Sequence, residues 1–386
     1  MALPNVRILL ANGQLGGIIP FADGVTGMVG TGVSVTSLIQ IGTPELFFSL
    51  ADAEARGVTL ADNPIAYKQV KDFYAEAPVG TEMYLMLVPD TLTQTEIMDV
   101  TEATGAVKLL DYAQGRVRML GSFFTISPYS PTTTAAIDAD VLTAIPKAHA
   151  LGAAYALVQA PLRCVVEGKS YTGVPASLTD LKTMAYNRVS VVVANDVTGT
   201  ASSVGAFLGR MAKNPVQRKP SRVRSGPVPF TTAFVGAQDA ATHSGLGLMH
   251  DKGYIVLRTF PGKTGFFWSS DPTCCPATDD YSSFARGRVI DKAHIIAYLT
   301  VLDELDEEIA VNDDGTMEIG FVKTLEQKVE RQIGGAMAGQ ISAVTMYINP
   351  AQDILGTNLL SATLKVRPVG YASDIEIELG FENPNA

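Results

Sequence analysis

The alternation of apolar and polar positions is strictest near the C-terminus. Between Ile375 and Phe381, Ile375, Ile377, Leu379 and Phe381 fall on one side, with Glu376 and Glu378 on the other. A period of two is that of a half-buried strand. Residues 363–367 predict a second strand, and Pro368 confines it to a sheet edge or a strand end. A strand pair at the end of a chain has few partners within that chain, so the sheet edge of another chain can complete it by strand addition. At the other end, residues 6–11 predict one strand, broken by Asn12-Gly13 and Gly16-Gly17. Residues 1–24 therefore read as an N-terminal arm, and 361–386 as a C-terminal β arm.

From Gly24 onward the pattern alternates between the two periods, which predicts an α/β (mixed α+β) chain of more than one domain. Strands are expected over 37–42, 84–89, 117–124, 156–166, 188–194 and 254–260. The almost wholly apolar run 189–194 suits a strand covered on both faces. Pro64 opens a helix whose face is Ile65, Ala66, Val70, Phe73, Tyr74 and Ala77. Ser177-Leu178-Thr179-Asp180 has a loose capping-box pattern. Further helices are expected over 289–309, with Ile295, Ile296, Leu299, Leu302, Leu305 and Ile309 on one face, and over 321–333, stopped by Gly334-Gly335.

Composition narrows the function classes. The 386 residues are 47% hydrophobic and 18% charged, as in a globular chain. The net charge of −10 argues against nucleic acid as a partner. One basic stretch stands out: Arg210, Lys213, Arg218, Lys219, Arg222 and Arg224 crowd around Pro215, Pro220 and Gly226. It lacks interleaved aromatics, so it reads as a solvated loop or a protein contact. Three cysteines make no disulfide framework. No apolar run reaches the roughly 18 residues of a membrane span, and Arg7 interrupts any leader-like segment. These features predict a soluble chain made in the cytoplasm, without direct membrane insertion.

Reactive chemistry is hard to find. Gly262-Lys263-Thr264 lacks the glycine a phosphate-binding loop needs, because Leu257 stands there. Gly27, Gly30 and Gly32 do not have dinucleotide-binding spacing, and no Gly-x-Ser-x-Gly elbow occurs. His243 and His250, with Asp239 and Asp251, are a possible constellation if the fold brings them together. Cys274-Cys275 has only Asp271, Asp279 and Asp280 nearby and lacks metal-ligand spacing. The reading is a protein that is not an enzyme and holds no cofactor or metal. The alternative is an α/β enzyme whose site is assembled from dispersed residues.

Several segments together resemble the contractile tail sheath family, the sheath subunits of phage tails and related injection machines. They are the strand, glycine turn and aromatic run from Gly253 through Gly262-Lys263-Thr264 to Trp268, and the stretch Tyr281-Ser282-Ser283-Phe284-Ala285-Arg286-Gly287-Arg288-Val289-Ile290-Asp291. The closing strand pair adds to them, as do Gly27–Gly32 and Lys71-Asp72-Phe73-Tyr74 more loosely. Trp268-Ser269-Ser270-Asp271 departs from the family's Trp-Gly-Ala-Arg-Thr pattern. The resemblance implies a structural subunit that stacks as rings around an inner tail tube protein and contracts, with baseplate and tail terminator proteins at its ends. It also implies assembly in the bacterial cytoplasm into a phage virion tail or contractile particle. The expected domains are the arm 1–24, an outer α/β part 25–249, an inner part 250–360 and the arm 361–386. Val6, Ile8, Leu364, Val366, Ile375, Ile377 and Leu379 are expected to make inter-subunit arm contacts. Lys323, Glu326, Lys328, Glu330 and Arg331 are expected to face the tube.

Overall fold

The computed structural model describes residues 22–125 and 130–382. In chain order they form β1 (Thr26–Thr31), β2 (Glu45–Phe47), α1 (Leu50–Ala55), α2 (Pro64–Glu76), β3 (Met83–Val88), α3 (Gln94–Ile97), α4 (Ala106–Tyr112) and β4 (Met119–Phe123). A short pair β5 (Thr133–Thr134) and β6 (Ile137–Asp138) leads into α5 (Ala139–Leu157), β7 (Arg163–Glu167), β8 (Val189–Val192) and α6 (Val204–Lys213). Next come β9 (Phe234–Val235), β10 (Gln238–Asp239), α7 (Leu246–Asp251), β11 (Tyr254–Ile255), β12 (Leu257–Phe260) and β13 (Lys263–Trp268). The last part holds α8 (Phe284–Val301), α9 (Ile319–Ala336), β14 (Ile341–Ile348), α10 (Ile354–Thr357) and β15 (Ala362–Pro368).

A seven-stranded sheet, ordered β11-β8-β7-β4-β1-β3-β2, organises the larger part. Every neighbouring pair is parallel except β2 with β3 at one edge. Its central strands are buried on both faces, as parallel sheets require. Gly121 of β4 faces Leu208 and Val204 of α6. The next residue, Ser122, faces the other way and donates to Gln94 of α3 at 2.7 Å. Thus α2 and α6 cover one face, and α3, α4 and α5 the other. Helices α2 and α6 approach closely because Gly205 and Gly209 leave room: a Cβ there would lie 2.0 Å from the Gln69 carbonyl oxygen and 2.3 Å from that of Phe73. Arg210 then reaches Glu76 with two hydrogen bonds, both side chains being buried. Burial pushes the Glu76 carboxyl up, and Arg210 opposes that shift.

A second cluster of buried residues forms where α8 and α9 pack with β14 and β15. Helix α8 belongs to both clusters. Phe284 and Ala285 sit in the sheet core, whereas Val289, Ala293 and Ile296 sit in the second. Polar ties fix it in place. Arg163 of β7 donates to Asp291 at 2.7 Å and to the Gly287 carbonyl at 3.1 Å, and Arg288 donates to the Met211 carbonyl at 2.8 Å. The sheet core extends through β11 to Ala285, past the division at 249/250 expected from the sequence.

Some expected elements differ. Residues 37–42 form turns rather than a strand, with Ser37 at φ 63°. The expected strand 156–166 begins inside α5, turns at Gln159 (φ 63°), and becomes strand only at Arg163. Helix α8 starts at Phe284 and ends at Val301, eight residues short of 309. Helix α9 runs through Gly334-Gly335 to Ala336. The 177–180 pattern yields only short 3₁₀ turns nearby.

Candidate functional site

The second cluster carries the two-stranded sheet of β14 and β15 against α8 and α9. Strands β14 and β15 pair antiparallel, with Val344 opposite Val366, Met346 opposite Leu364 and Ile348 opposite Ala362. Val344, Met346, Leu364 and Val366 turn toward α8 and α9, and Thr345, Tyr347, Thr363 and Lys365 toward solvent. Both outer edges of this two-stranded sheet lack a strand partner among the described residues.

Two carboxylates of α9 reach the β14 edge. Glu326 Oε1 accepts from the Ile348 amide at 2.8 Å, and Glu330 Oε1 accepts from the Met346 amide at 2.7 Å. Carboxylates four residues apart on a helix are about 6 Å apart along its axis, and amides two residues apart on a strand about 6.8 Å. The spacings match, so one helix face serves both amides. Lys323 bonds the other oxygen of Glu326 at 2.7 Å, and together with the Ile348 amide it pulls the Glu326 carboxyl below its ordinary range.

Beyond Pro368 the chain leaves the sheet. Tyr371 donates its hydroxyl to the Gln217 carbonyl, and its ring lies between Lys219 (4.8 Å) and Arg286 (5.9 Å). Lys219 also stands 3.8 Å from the buried Asp271. The following segment, expected as a strand from its alternation, forms none and pairs with no strand among the described residues: Ile375, Ile377, Leu379 and Phe381 are 76%, 79%, 94% and 110% exposed. At the other end, Asp23 is held by Lys292 at 2.7 Å, and its carbonyl accepts from Arg288 at 2.9 Å. The bases of both terminal segments are therefore tied to α8.

The expected site residues separate accordingly. Val6 and Ile8 lie outside the described residues. Leu364 and Val366 are strand residues of the chain's own β14–β15 pair, half-buried against its own second cluster. Residues 362–368 of the expected C-terminal arm are thus a strand of the chain's own sheet. Ile375, Ile377 and Leu379 belong to the unpaired, exposed segment. Among the expected tube-facing residues, Lys323 and Arg331 are exposed, Glu326 and Glu330 are turned to β14, and Lys328 pairs with Glu304. Sequence periodicity identifies the polar face of α9 but gives no sign that two of its carboxylates serve strand amides.

The candidates for chemistry resolve differently. His243, His250 and Asp251 line one cavity of about 370 Å³, while Asp239 closes its own turn by accepting from Ala241 at 2.8 Å. Burial pushes both imidazoles down. Cys164, Cys274 and Cys275 are buried free thiols. Among the described residues no group of three His, Cys, Asp or Glu is placed to hold a metal. The buried Glu167 spends its two oxygens on the Phe124 and Ser202 amides, at 3.0 and 2.9 Å, so it ties the end of β7 to the end of β4 and to the approach to α6. The basic stretch is only partly a solvated loop, since Arg210 is buried against Glu76. No described helix is long and apolar enough to cross a membrane.

Residues 3–271 match the N-terminal domain of DUF2586, and residues 280–386 its C-terminal domain. The chain belongs to the DUF2586 family. The two matches are separated by residues 272–279, just before α8, and the two buried clusters divide within the first turns of that helix, with Val216 alone of the first match in the second cluster. No curated protein matches this DUF2586 chain by sequence. Its fold, however, is shared from end to end with solved sheath structures. The contracted helical sheath of the anti-feeding prophage superposes with a TM-score of 0.65 at 14% identity, covering 99% of this chain and 100% of that one. The contracted sheath complex of an extracellular contractile injection system, PVC, gives 0.61 at 12% identity, covering 100% and 99%. A sheath tail protein from Listeria innocua gives 0.51 at 11%, covering 91% and 96%.

Proposed function

We propose that this DUF2586 protein is the sheath subunit of a contractile tail. It stacks as rings around an inner tube protein and shortens to drive that tube through a target envelope. The observation that carries this reading is a fold matched over the length of the chain by two contracted sheaths, joined to an exposed segment of alternating apolar residues, 375–381, that pairs with no strand among the described residues. Such a segment is suited to crossing into a neighbouring subunit, where main-chain hydrogen bonds hold it while subunits rotate. The part built on α8, α9, β14 and β15 faces the tube, and the seven-stranded sheet lies outward. Baseplate and terminator proteins cap the polymer, which assembles in the bacterial cytoplasm. Shortening draws on better burial between subunits in the contracted state. The test is negative-stain imaging of the purified chain mixed with its cognate tube protein. Striated tubes are expected; compact particles that never polymerise overturn the reading.

A further inference from the structure

We propose that the acidic loop after the last turn of α8 in one copy docks into a basic cleft beside the first turn of α8 in the next, joining subunits head to tail. The proposal rests on the sheath reading and adds which surfaces of two copies meet.

The cleft joins part of the basic stretch to residues distant in sequence. A cavity of about 930 Å³ is walled by Arg218, Lys219 and Arg222, by Arg258 of β12 and by Tyr371. A smaller cavity of about 200 Å³ adjoins it and adds Lys182 and Arg286. Of these six cations, only Lys219 has an acid within ion-pair distance among the described residues, the buried Asp271 at 3.8 Å. Asp374 is the one other acid on the described walls. The Arg286 Nε is also buried without a partner. On a chain of net charge −10, such a surplus of cations in a cleft focuses a field that selects an anionic partner.

The opposite charge lies at the other end of the same helix. Arg286 stands in the first turn of α8, whereas Asp303, Asp306, Glu307 and Glu308 follow its last turn, with Asp313 and Asp314 in the turn before α9. All six are exposed, and none has a cation within ion-pair distance among the described residues. The neighbouring Glu304 is taken by Lys328. The 18 residues of α8 span about 27 Å at roughly 1.5 Å per residue. Helix α9 runs back toward the cleft, where Gln217 donates to the Gly339 carbonyl at 3.2 Å. The length of the helix pair therefore keeps a chain's loop from its own cleft, and a second copy supplies the matching anion. A patch that complements a different patch of an identical chain makes a heterologous contact, which closes into a ring or continues as a helical polymer.

Complementation between two charge-reversed full-length chains tests this. The first carries Arg218→Glu, Arg222→Glu and Arg258→Glu, which leaves three cations against five acids in the cleft. The second carries Asp303→Lys, Glu307→Lys, Glu308→Lys and Asp313→Lys, which leaves four cations against two acids in the loop. Each is mixed with the cognate tube protein, and polymer is sedimented across a concentration series. Like charges then face each other, so either chain alone should need about ten times the wild-type concentration or more. In a one-to-one mixture each cleft meets a loop of opposite charge, and assembly should return to within about threefold of wild type. Reversed chains that each polymerise like wild type overturn the proposal. So does a mixture no better than its components, the result expected if the loop faces the tube protein instead. Wild-type tubes beside an unrestored mixture leave the sheath reading standing, whereas wild type that never forms tubes overturns that reading. If urea titration shows that a reversed chain does not fold, Gln replaces Arg222 and Arg258 in one chain, Glu307 and Glu308 in another, and all four in a third. The third should then be no weaker than the weaker of the other two, and losses that add overturn the proposal.

Discussion

A chain ending at Ser373 isolates the C-terminal segment. It loses Ile375, Ile377, Leu379 and Phe381, which are 76–110% exposed, but keeps β15 and the Tyr371 fastening. Nothing in the subunit's cores changes, so the urea unfolding free energy should stay within about 0.5 kcal/mol of wild type. Assembly should respond strongly. Burying the four side chains in a neighbour contributes about 1.5–3 kcal/mol each, roughly 6–12 in all. Ordering seven backbone residues costs about 1–2 kcal/mol each, roughly 7–14. One arm by itself is therefore close to balance, and main-chain hydrogen bonds and the many arms of a ring supply the surplus. Against that small surplus, Leu379→Ser removes about 1.5–3 kcal/mol per contact and should raise the critical concentration about 10- to 150-fold. The assay is sedimentation of polymer across a concentration series, with urea titration of the same samples in their unassembled state. Truncation at Ser373 should leave no sedimentable polymer. Polymerisation of that chain at the wild-type concentration would refute the reasoning. A cut before residue 362 is a different experiment, because it also removes β15 and uncovers the second core.

Other expectations follow from single contacts. Gly209→Ala favours the helix by about 0.8–1 kcal/mol, but its Cβ would lie 2.3 Å from the Phe73 carbonyl oxygen; overpacking should win, for a net loss of roughly 1–2 kcal/mol in urea unfolding. Glu326 has a folded pKa below its ordinary 4.5, so its contribution to stability is complete above that value and is lost as the pH falls through the lowered one; Glu326→Gln should flatten that part of the acid unfolding curve. Reversing the two exposed cations of α9, Lys323→Glu with Arg331→Glu, should impair co-assembly on the tube. Folding should change little, because exposed ion pairs contribute only about 0–1 kcal/mol.

Periodicity reports which side of an element is apolar, and it was informative wherever a side chain's own chain covers it. The faces of α2 and α9 were legible for that reason, as were β3, β4 and β8; of the face expected over 289–309, Ile295 and Ile296 are buried, whereas Leu299, Leu302 and Leu305 are exposed. It failed where small residues are needed by shape. β1 reads as a glycine-rich stretch, yet Gly30 is a strand residue because a Cβ there would strike the Phe123 ring at 2.3 Å. In the same way α6 is interrupted on paper by Gly205 and Gly209, which are the residues that let it lie against α2. Apolar runs also misled: 156–166 joins a helix end to a strand start, and only the positive φ of Gln159 separates them. At the candidate site the legible and illegible parts divide along the same line. The strict alternation of 375–381 predicts a half-buried strand, whereas the segment forms no strand and lies exposed among the described residues, so the local pattern alone does not say what covers it. Glu326 and Glu330 give the opposite case. Their positions look like an ordinary solvated face, and their role arises from strand amides 22 and 16 residues further along. A polar side chain that satisfies a distant sheet edge leaves no mark in local periodicity.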